Sequence, residues 1–355
     1  MRLFVDITAH GWGHLSQTAP IIAALRERDP GFECVVRSGL PRKMVERKLG
    51  PLAGFHASDS DFGLVMTSPF VVDREASLAR YVSLHRDFDR HVDAVAALMR
   101  DDCNAVLSNI SYLALAAGKR AGIPTIACSS LNWSDMMHVY GHGEPGVAGA
   151  LAEIDRSYAE ADLFLRLSPG MAMERFRTRR IDRPIARLGT RRRGDIQQRL
   201  GISANVPIVV CAFGGMIPTG TPTFVNQPDG LAVLGPSAWR TLGVFDVDGV
   251  GMPYADVLAS ADLVVTKPGY GIVAELGCLG TPSFMVSRGD WPEQPALLTW
   301  LADHSSTEEI DDIRSLTVDD VHIMTKRAQD RVYTPAESGG ERDIATAITE
   351  IIHAN

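Results

Sequence analysis

The chain has 355 residues, more than one ordinary core accommodates and enough for two domains of roughly 150–200 residues each. Hydrophobic residues make up 45% and charged residues 22%, a globular balance that excludes disordered, collagen-like and coiled-coil classes. The 43 acidic against 35 basic residues leave a net charge of −8, which argues against bulk binding to nucleic acid or an anionic membrane surface.

No uncharged apolar run approaches the ~18–20 residues that span a bilayer. MRLFVDIT turns polar at His10, before the apolar core of a signal peptide is complete. Cys34, Cys103, Cys128, Cys211 and Cys278 are odd in number, form no CxxC pair and sit among apolar neighbours. These features predict buried free thiols, a reducing cytoplasmic setting and no integral membrane segment.

Strand and helix patterns alternate along the chain. Arg2–Thr8 is a β-prone run broken by AHGWGHLSQT, and a helical period follows to the stop at Pro30-Gly31. A strand is expected at Glu33–Arg37, a short helix at Pro41–Leu49 and an ambiguous apolar stretch at Phe62–Val72. A long helical period runs from about Arg74 to 100. Ala105–Asn109 and Pro124–Ser129 read as strands around an alanine-rich helix at Leu113–Ala121. SLNWSDMMHVYGHGEPG reads as a loop, Ala150–Ala161 as a helix and Asp162–Leu167 as a strand. The register restarts at Pro207–Phe213, a continuous apolar strand closed by Gly214-Gly215. Short strands at Gly230–Leu234 and Thr241–Asp246 come next, then a helix at Ala255–Ala261. A strand at Asp262–Thr266, a glycine turn into a helix and a strand at Ser283–Ser287 complete the pattern. Strand–helix–strand repeats of this length predict two doubly wound parallel sheets. Nine arginines between 175 and 193 fall in the joining segment; in an acidic chain with few aromatics among them, they read as solvated linker rather than nucleic-acid contacts.

Three segments carry chemistry. AHGWGHLSQT follows the first strand, where an open α/β sheet has its ligand crevice. Gly11 and Gly13 permit close backbone approach, and His14, with His10 four residues earlier, has a side chain suited to general-base work; a helix-capping or buried histidine is the plainer reading. No third glycine completes a dinucleotide fingerprint. ADLVVTKPGYGIVAELG runs a strand into Lys267, Gly269 and Gly271 and then a helix, whose N-terminus suits a diphosphate; Glu275 on that helix can accept bonds from vicinal hydroxyls, or merely complement the dipole. SRGDWPEQ places Asp290, Glu293 and Gln294 in one loop, a set suited to sugar hydroxyls if it is not simply solvated. Gly214 and Gly215 offer a backbone nest for a phosphate. The DxD pairs at 59–61 and 246–248 read as chance, and no metal is expected. No GxSxG, HExxH or P-loop occurs.

Together these segments resemble the GT-B glycosyltransferases: α/β proteins of two Rossmann-like, doubly wound parallel-sheet domains facing a cleft. In particular GWGHLSQT, SNISYLALAAGKRAGIPTIACSSLNWSDM, TKPGYGIVAEL and SGGERDIATAI resemble the glycosyltransferase-like region that precedes the kinase domain of plant arabinokinases, and its bacterial relatives. The likeness covers nearly the whole chain and not the kinase half. More distantly the chain is similar to the transferase making the lipid-linked cell-wall disaccharide and to the nucleotide-sugar hydrolase of pseudaminic-acid synthesis.

The resemblance implies an acceptor-side domain over 1–170, a linker over 171–204, a nucleotide-sugar-binding domain over 205–340, and a helix at 341–355 packing back toward the first domain. It implies transfer of a sugar from a nucleotide sugar to an acceptor hydroxyl, inverting and without cofactor or metal. His14 would be the base, supported by His10 or Asp135. Gly11, Gly13, Gly214, Gly215, Lys267, Gly269, Gly271, Glu275, Asp290, Glu293 and Gln294 would hold the donor. The same cleft serves a nucleotide-sugar hydrolase, a 2-epimerase or a non-catalytic nucleotide-sugar binder. MIPTGTPTFVNQPD, broken by prolines and without helical period, stands where the fold has a full donor-side helix, so the second domain is expected to be trimmed.

Overall fold

The computed structural model describes residues 1–68, 70–99, 103–214, 220–226 and 230–354. Two compact units divide the chain: Met1–Ile185 with Gly339–Asn355, and Ala186–Ser338.

The first unit carries a parallel sheet of β1 (Arg2–Ile7), β2 (Glu33–Ser38), β3 (Gly54–Ala57), β4 (Ala105–Asn109), β5 (Thr125–Ser129), β6 (Leu163–Leu167) and β7 (Arg179–Ile181). Their order is β3-β2-β1-β4-β5-β6-β7, so the winding reverses between β1 and β4. That pair is in register from Leu3 opposite Ala105 to Ile7 opposite Asn109. β1 and its neighbours are buried on both faces, which explains their unbroken apolar runs. The helices are α1 (Gly13–Arg28), α2 (Arg42–Leu49), α3 (Arg74–His85), α4 (Phe88–Ala97), α5 (Tyr112–Ala121), α6 (Trp133–Tyr140) and α7 (Ala148–Ala159). α5 shows how the sequence sets their limits. Ser111 caps it by accepting from Ala114 N, and left-handed Gly122 ends it.

The second unit carries α8 (Arg193–Leu200), β8 (Ile208–Ala212), α9 (Thr223–Asn226), β9 (Ala232–Gly235), β10 (Phe245–Asp246), α10 (Tyr254–Ala259), β11 (Leu263–Thr266), α11 (Tyr270–Leu279), β12 (Ser283–Val286), α12 (Gln294–His304), β13 (Thr307–Ile310) and α13 (Val318–Asp330). Its parallel order, β10-β9-β8-β11-β12-β13, reverses between β8 and β11. Ile208, Val210, Val264, Met285, Val273 and Leu297 form the centre of its core. Burial stabilises each such side chain by about 1.5–3 kcal/mol.

Several expectations need correction. The supposed linker over 171–204 is shared between the units: β7 pairs with β6, and α8 buries Ile196 in the second core. Its arginines are largely engaged in ion pairs, such as Arg183 with Asp343 and Arg193 with Asp262. The long period from Arg74 breaks into α3 and α4 at Arg86-Asp87. Among the described residues of 62–72 there is no strand, and Met66 and Val72 form an isolated bridge. α14 (Gly340–His353) belongs to the first unit and packs on α1, where Arg28 Nη2 donates to Thr346 Oγ1 at 2.5 Å. Of the stretch expected to replace a donor-side helix, residues 220–226 are described, and α9 is a single turn. All five cysteines are buried, and none of them forms a disulfide. Among the described residues no helix is long and apolar enough to cross a membrane.

Candidate functional site

Ligand crevices of open α/β sheets lie beyond the carboxyl ends of the strands where the winding reverses. In the first unit those are the ends of β1 and β4, and two polar side chains meet there. His14, in the first turn of α1, is buried, and its Nδ1 lies 2.8 Å from Asn109 Oδ1 at the end of β4. Asn109 Nδ2 donates to Gln17 Oε1 at 3.0 Å, and Gln17 Nε2 donates to Ser130 Oγ at 2.9 Å. This relay turns the Asn109 carbonyl toward His14, which assigns the proton to Nδ1 and leaves the lone pair on Nε2. Burial is the main reason the imidazole's pKa falls to about 4, and the Asn109 bond opposes that only in part. His14 is therefore neutral at pH 7.

The partners expected for His14 stand elsewhere. His10 Nδ1 accepts from Leu64 N at 3.3 Å and lies 3.1 Å from Leu64 O. His10 and His14 both flank Trp133, whose ring stands edge-on 5.4 Å from His10 and 5.8 Å from His14. Asp135 shares bonds with Asn132, the cap of α6, and pairs with Arg175 at 3.4 Å. Asn109, Gln17 and Ser130 are the residues that support the imidazole, and they escaped sequence reading. Their one signal was position: Asn109 and Ser130 each end or follow a strand beside the reversal point.

In the second unit the reversal point gathers a cationic set. Lys267 follows β11, and Arg288 follows β12, with its guanidinium 3.7 Å from the centroid of the Trp291 ring. Burial, then the Arg288 charge, brings the Lys267 ammonium down to about 8, so it remains mostly protonated at pH 7. α11 begins beside them at Gly269 without a side-chain cap, presenting its first amides and the positive end of its dipole. A Cβ added at Gly214, Gly269 or Gly271 would meet nothing within 4 Å, and the same holds for Gly11 and Gly13 in the first unit. Gly215 lies outside the described residues.

The remaining predicted residues divide. The Glu275 charge, after burial, helps hold the Tyr254 phenol above its ordinary range, which puts this carboxylate beside the start of α10. Asp290 is exposed. Glu293 is buried, with Oε2 3.3 Å from Trp291 Nε1. Gln294 accepts from Arg288 N at 2.8 Å and donates to Glu309 Oε1 at 2.5 Å and Ser287 Oγ at 3.2 Å. Those bonds make Gln294 a brace for the Arg288 backbone rather than a group turned to a ligand. Among the described residues, no three or more His, Cys, Asp or Glu side chains are placed to hold a metal ion.

No protein-family model matches the chain. It is 25% identical over 309 residues to L-arabinokinase of Arabidopsis thaliana, covering 83% of this chain and 29% of that protein, so it spans less than a third of that relative's length. The calicheamicin glycosyltransferase CalG4 superposes with a TM-score of 0.62 at 13% identity, over 100% of this chain and 99% of that one. The Streptomyces sp. SF2575 glycosyltransferase SsfS6, complexed with thymidine diphosphate, gives 0.57 at 19% identity over 99% of both chains. The chain has the GT-B fold of these glycosyltransferases.

Proposed function

We propose that the chain is a glycosyltransferase that moves a sugar from a nucleotide sugar to an acceptor hydroxyl with inversion and without a metal. The observation that carries this reading is the neutral His14 imidazole at the β1–β4 reversal point, its tautomer set by Asn109. A general base must offer a lone pair at working pH, and His14 Nε2 does.

In this reaction Nε2 takes the acceptor's hydroxyl proton as the oxygen attacks the anomeric carbon from the face opposite the leaving group. The new carbon–oxygen bond forms while the bond from carbon to phosphate oxygen breaks, and its electron pair leaves on the nucleoside diphosphate. Lys267, Arg288 and the first amides of α11 meet that developing charge, the role a divalent cation fills in other transferases. Glu275 on α11 is suited to a ribose diol. The thymidine diphosphate bound by SsfS6 supports a nucleotide-sugar donor for a chain of the same fold.

Thermal-shift titration with UDP, dTDP, GDP, CDP and ADP, without added metal, tests the donor assignment. A nucleotide at about 100 times its Kd stabilises the protein by ~2.7 kcal/mol. A response to one nucleotide that disappears in Lys267→Met supports the reading; silence across the panel sinks it. With the responding donor class, a glycoside product identifies transfer and free sugar identifies hydrolysis. His14→Ala must abolish either.

A further inference from the structure

Beneath the His10–His14 loop lies a cluster that the proposed reaction does not use. Asp6 on β1, Arg37 on β2 and Asp61 in the segment after β3 are all buried. Arg37 pairs with Asp6 Oδ2 and also reaches Ser60 Oγ, whereas Asp6 Oδ1 has no hydrogen-bond partner among the described residues. The cluster thus holds two carboxylates against one guanidinium, which pairs with Asp6 and acts on Asp61 through its charge. With both ionised, the cluster holds a net negative charge away from water, which is strongly unfavourable. A single proton removes it, and Asp61 is where that proton goes. Burial first, then the Asp6 charge, pushes the Asp61 carboxyl up to about 7, against the opposing effects of Thr8, Arg37 and Ser111. Asp6 is also raised by burial, but its pairing with Arg37 opposes this. The other titratable groups facing Asp61 are Tyr81 on α3, Tyr112 on α5 and Tyr158 on α7. Burial and the Asp61 charge keep those phenols protonated far above neutrality.

Asp61 is tied to the histidine loop by its own bonds. Thr8 Oγ1 donates to Asp61 Oδ2 at 2.7 Å and accepts from Ile110 N at 3.1 Å and Trp133 Nε1 at 3.4 Å. Ala9 N donates to the Asp61 carbonyl at 3.2 Å. Two residues on, Gly63 comes so close that an added Cβ would stand 2.7 Å from His10 Cβ and from the Trp133 ring. Residues 58–65 thus form the seat on which His10, Trp133 and, through Trp133, His14 rest.

We propose that Asp61 is a proton-gated positioning residue: protonated, it completes a neutral cluster with Asp6 and Arg37 and seats residues 58–65 against the His10–His14 loop, and its ionisation loosens that seat. None of this depends on the reaction His14 serves.

Hydrogen exchange of the full chain between pH 5.5 and 8.5, normalised for intrinsic rates, tests it. In the wild type, protection of peptides covering 5–14 and 58–66 should fall from pH 5.5 to about 7, approaching tenfold per pH unit for a one-proton linkage to an opened form whose Asp61 is already ionised, and be level above that. Asp61→Asn keeps an oxygen to accept from Thr8 but has no proton to lose, so its protection should stay level throughout. Asp6→Asn removes the neighbouring charge and should move the pH at which the fall levels off toward acid. A level wild-type profile between pH 5.5 and 7, or the same fall retained in Asp61→Asn, overturns the proposal. If Asp61→Asn does not fold, an unmoved levelling point in Asp6→Asn overturns it equally.

Discussion

Replacing Asn109 with aspartate probes the imidazole directly. In the wild type the amide carbonyl faces His14 Nδ1 at 2.8 Å and offers only a dipole, so burial dominates and the pKa falls from 6.5 to about 4. That shift corresponds to about 3 kcal/mol of differential interaction between the two protonation states. An opposite charge at this range favours the charged form by roughly 1–3 pKa units, so Asn109→Asp should bring His14 to about 5–7. The sign for stability follows. The folded wild type binds fewer protons than the unfolded chain between about pH 4 and 6.5, so this group's contribution rises with pH across that window and is level above it. Asn109→Asp should compress the window from its acid side. His14 Cε1–H chemical shifts through a pH titration, assigned by comparison with His14→Gln, read both values. A wild-type midpoint near 6.5, or midpoints indistinguishable in the two proteins, refutes the reasoning. Under the proposed reaction the more basic imidazole also moves the acid limb of the rate profile to higher pH.

Asp135→Asn should leave activity within twofold of wild type in a transfer assay, because Asp135 serves the start of α6 and Arg175 rather than His14; stability should change by less than about 1 kcal/mol, read from urea denaturation. Affinity for the responding nucleotide should be level up to about pH 8 and weaken above it, as free Lys267 loses its proton, and Lys267→Met should bind weakly with that pH dependence removed; calorimetric titrations from pH 6.5 to 9.5 decide this. Gly118→Ala would place a Cβ 2.5 Å from Thr125 Cγ2 and 2.7 Å from Val106 Cγ2, so overpacking should outweigh the gain in helix propensity and destabilise by ~1–3 kcal/mol; a thermal midpoint equal to or above wild type would contradict this packing.

The sheets were readable because their central strands are buried on both faces and therefore run apolar without a break, as at AVLSN and PIVVCAF. Elements that lack this signal went unread. β3 is GFHA, half-exposed and without alternation, and β7 is RRI, held by pairing with β6 rather than by composition. α6 lay hidden in a segment read as loop, although Asn132 caps it and Met136, Met137 and Tyr140 are buried. The break between α3 and α4 carries neither glycine nor proline. At the site, a local reading finds residues that a motif brings together, such as His14 beside its glycines. It cannot find partners supplied by topology. Asn109 is 95 positions from His14, and Asp61 is 53 from Thr8; nothing in the segments that hold them marks either pair. The DxD pair at 59–61 reads as chance in the sequence, and under the proposal above Asp61 matters through the proton it holds beneath β1.

The two units apply one topological rule to opposite electrostatic ends. Each reverses its winding beside its central strand, β1 or β8, and each gathers candidate groups where that reversal opens. In the first unit the groups there are neutral: an imidazole held unprotonated and an amide relay, with the ionisable groups Asp6, Arg37 and Asp61 kept below them. In the second the groups are cationic, and Arg288 is near enough to Lys267 to weaken its hold on a proton. A base that removes a proton from a hydroxyl must itself be unprotonated, whereas a departing diphosphate needs positive charge already in place. In the proposed transfer, exchanging the two environments would disable both steps. A protonated His14 could not accept the hydroxyl proton, and an uncharged second site would leave the diphosphate's electron pair unmet. Each environment thus suits the step assigned to it in the proposed transfer: an unprotonated base in the first unit and standing positive charge in the second.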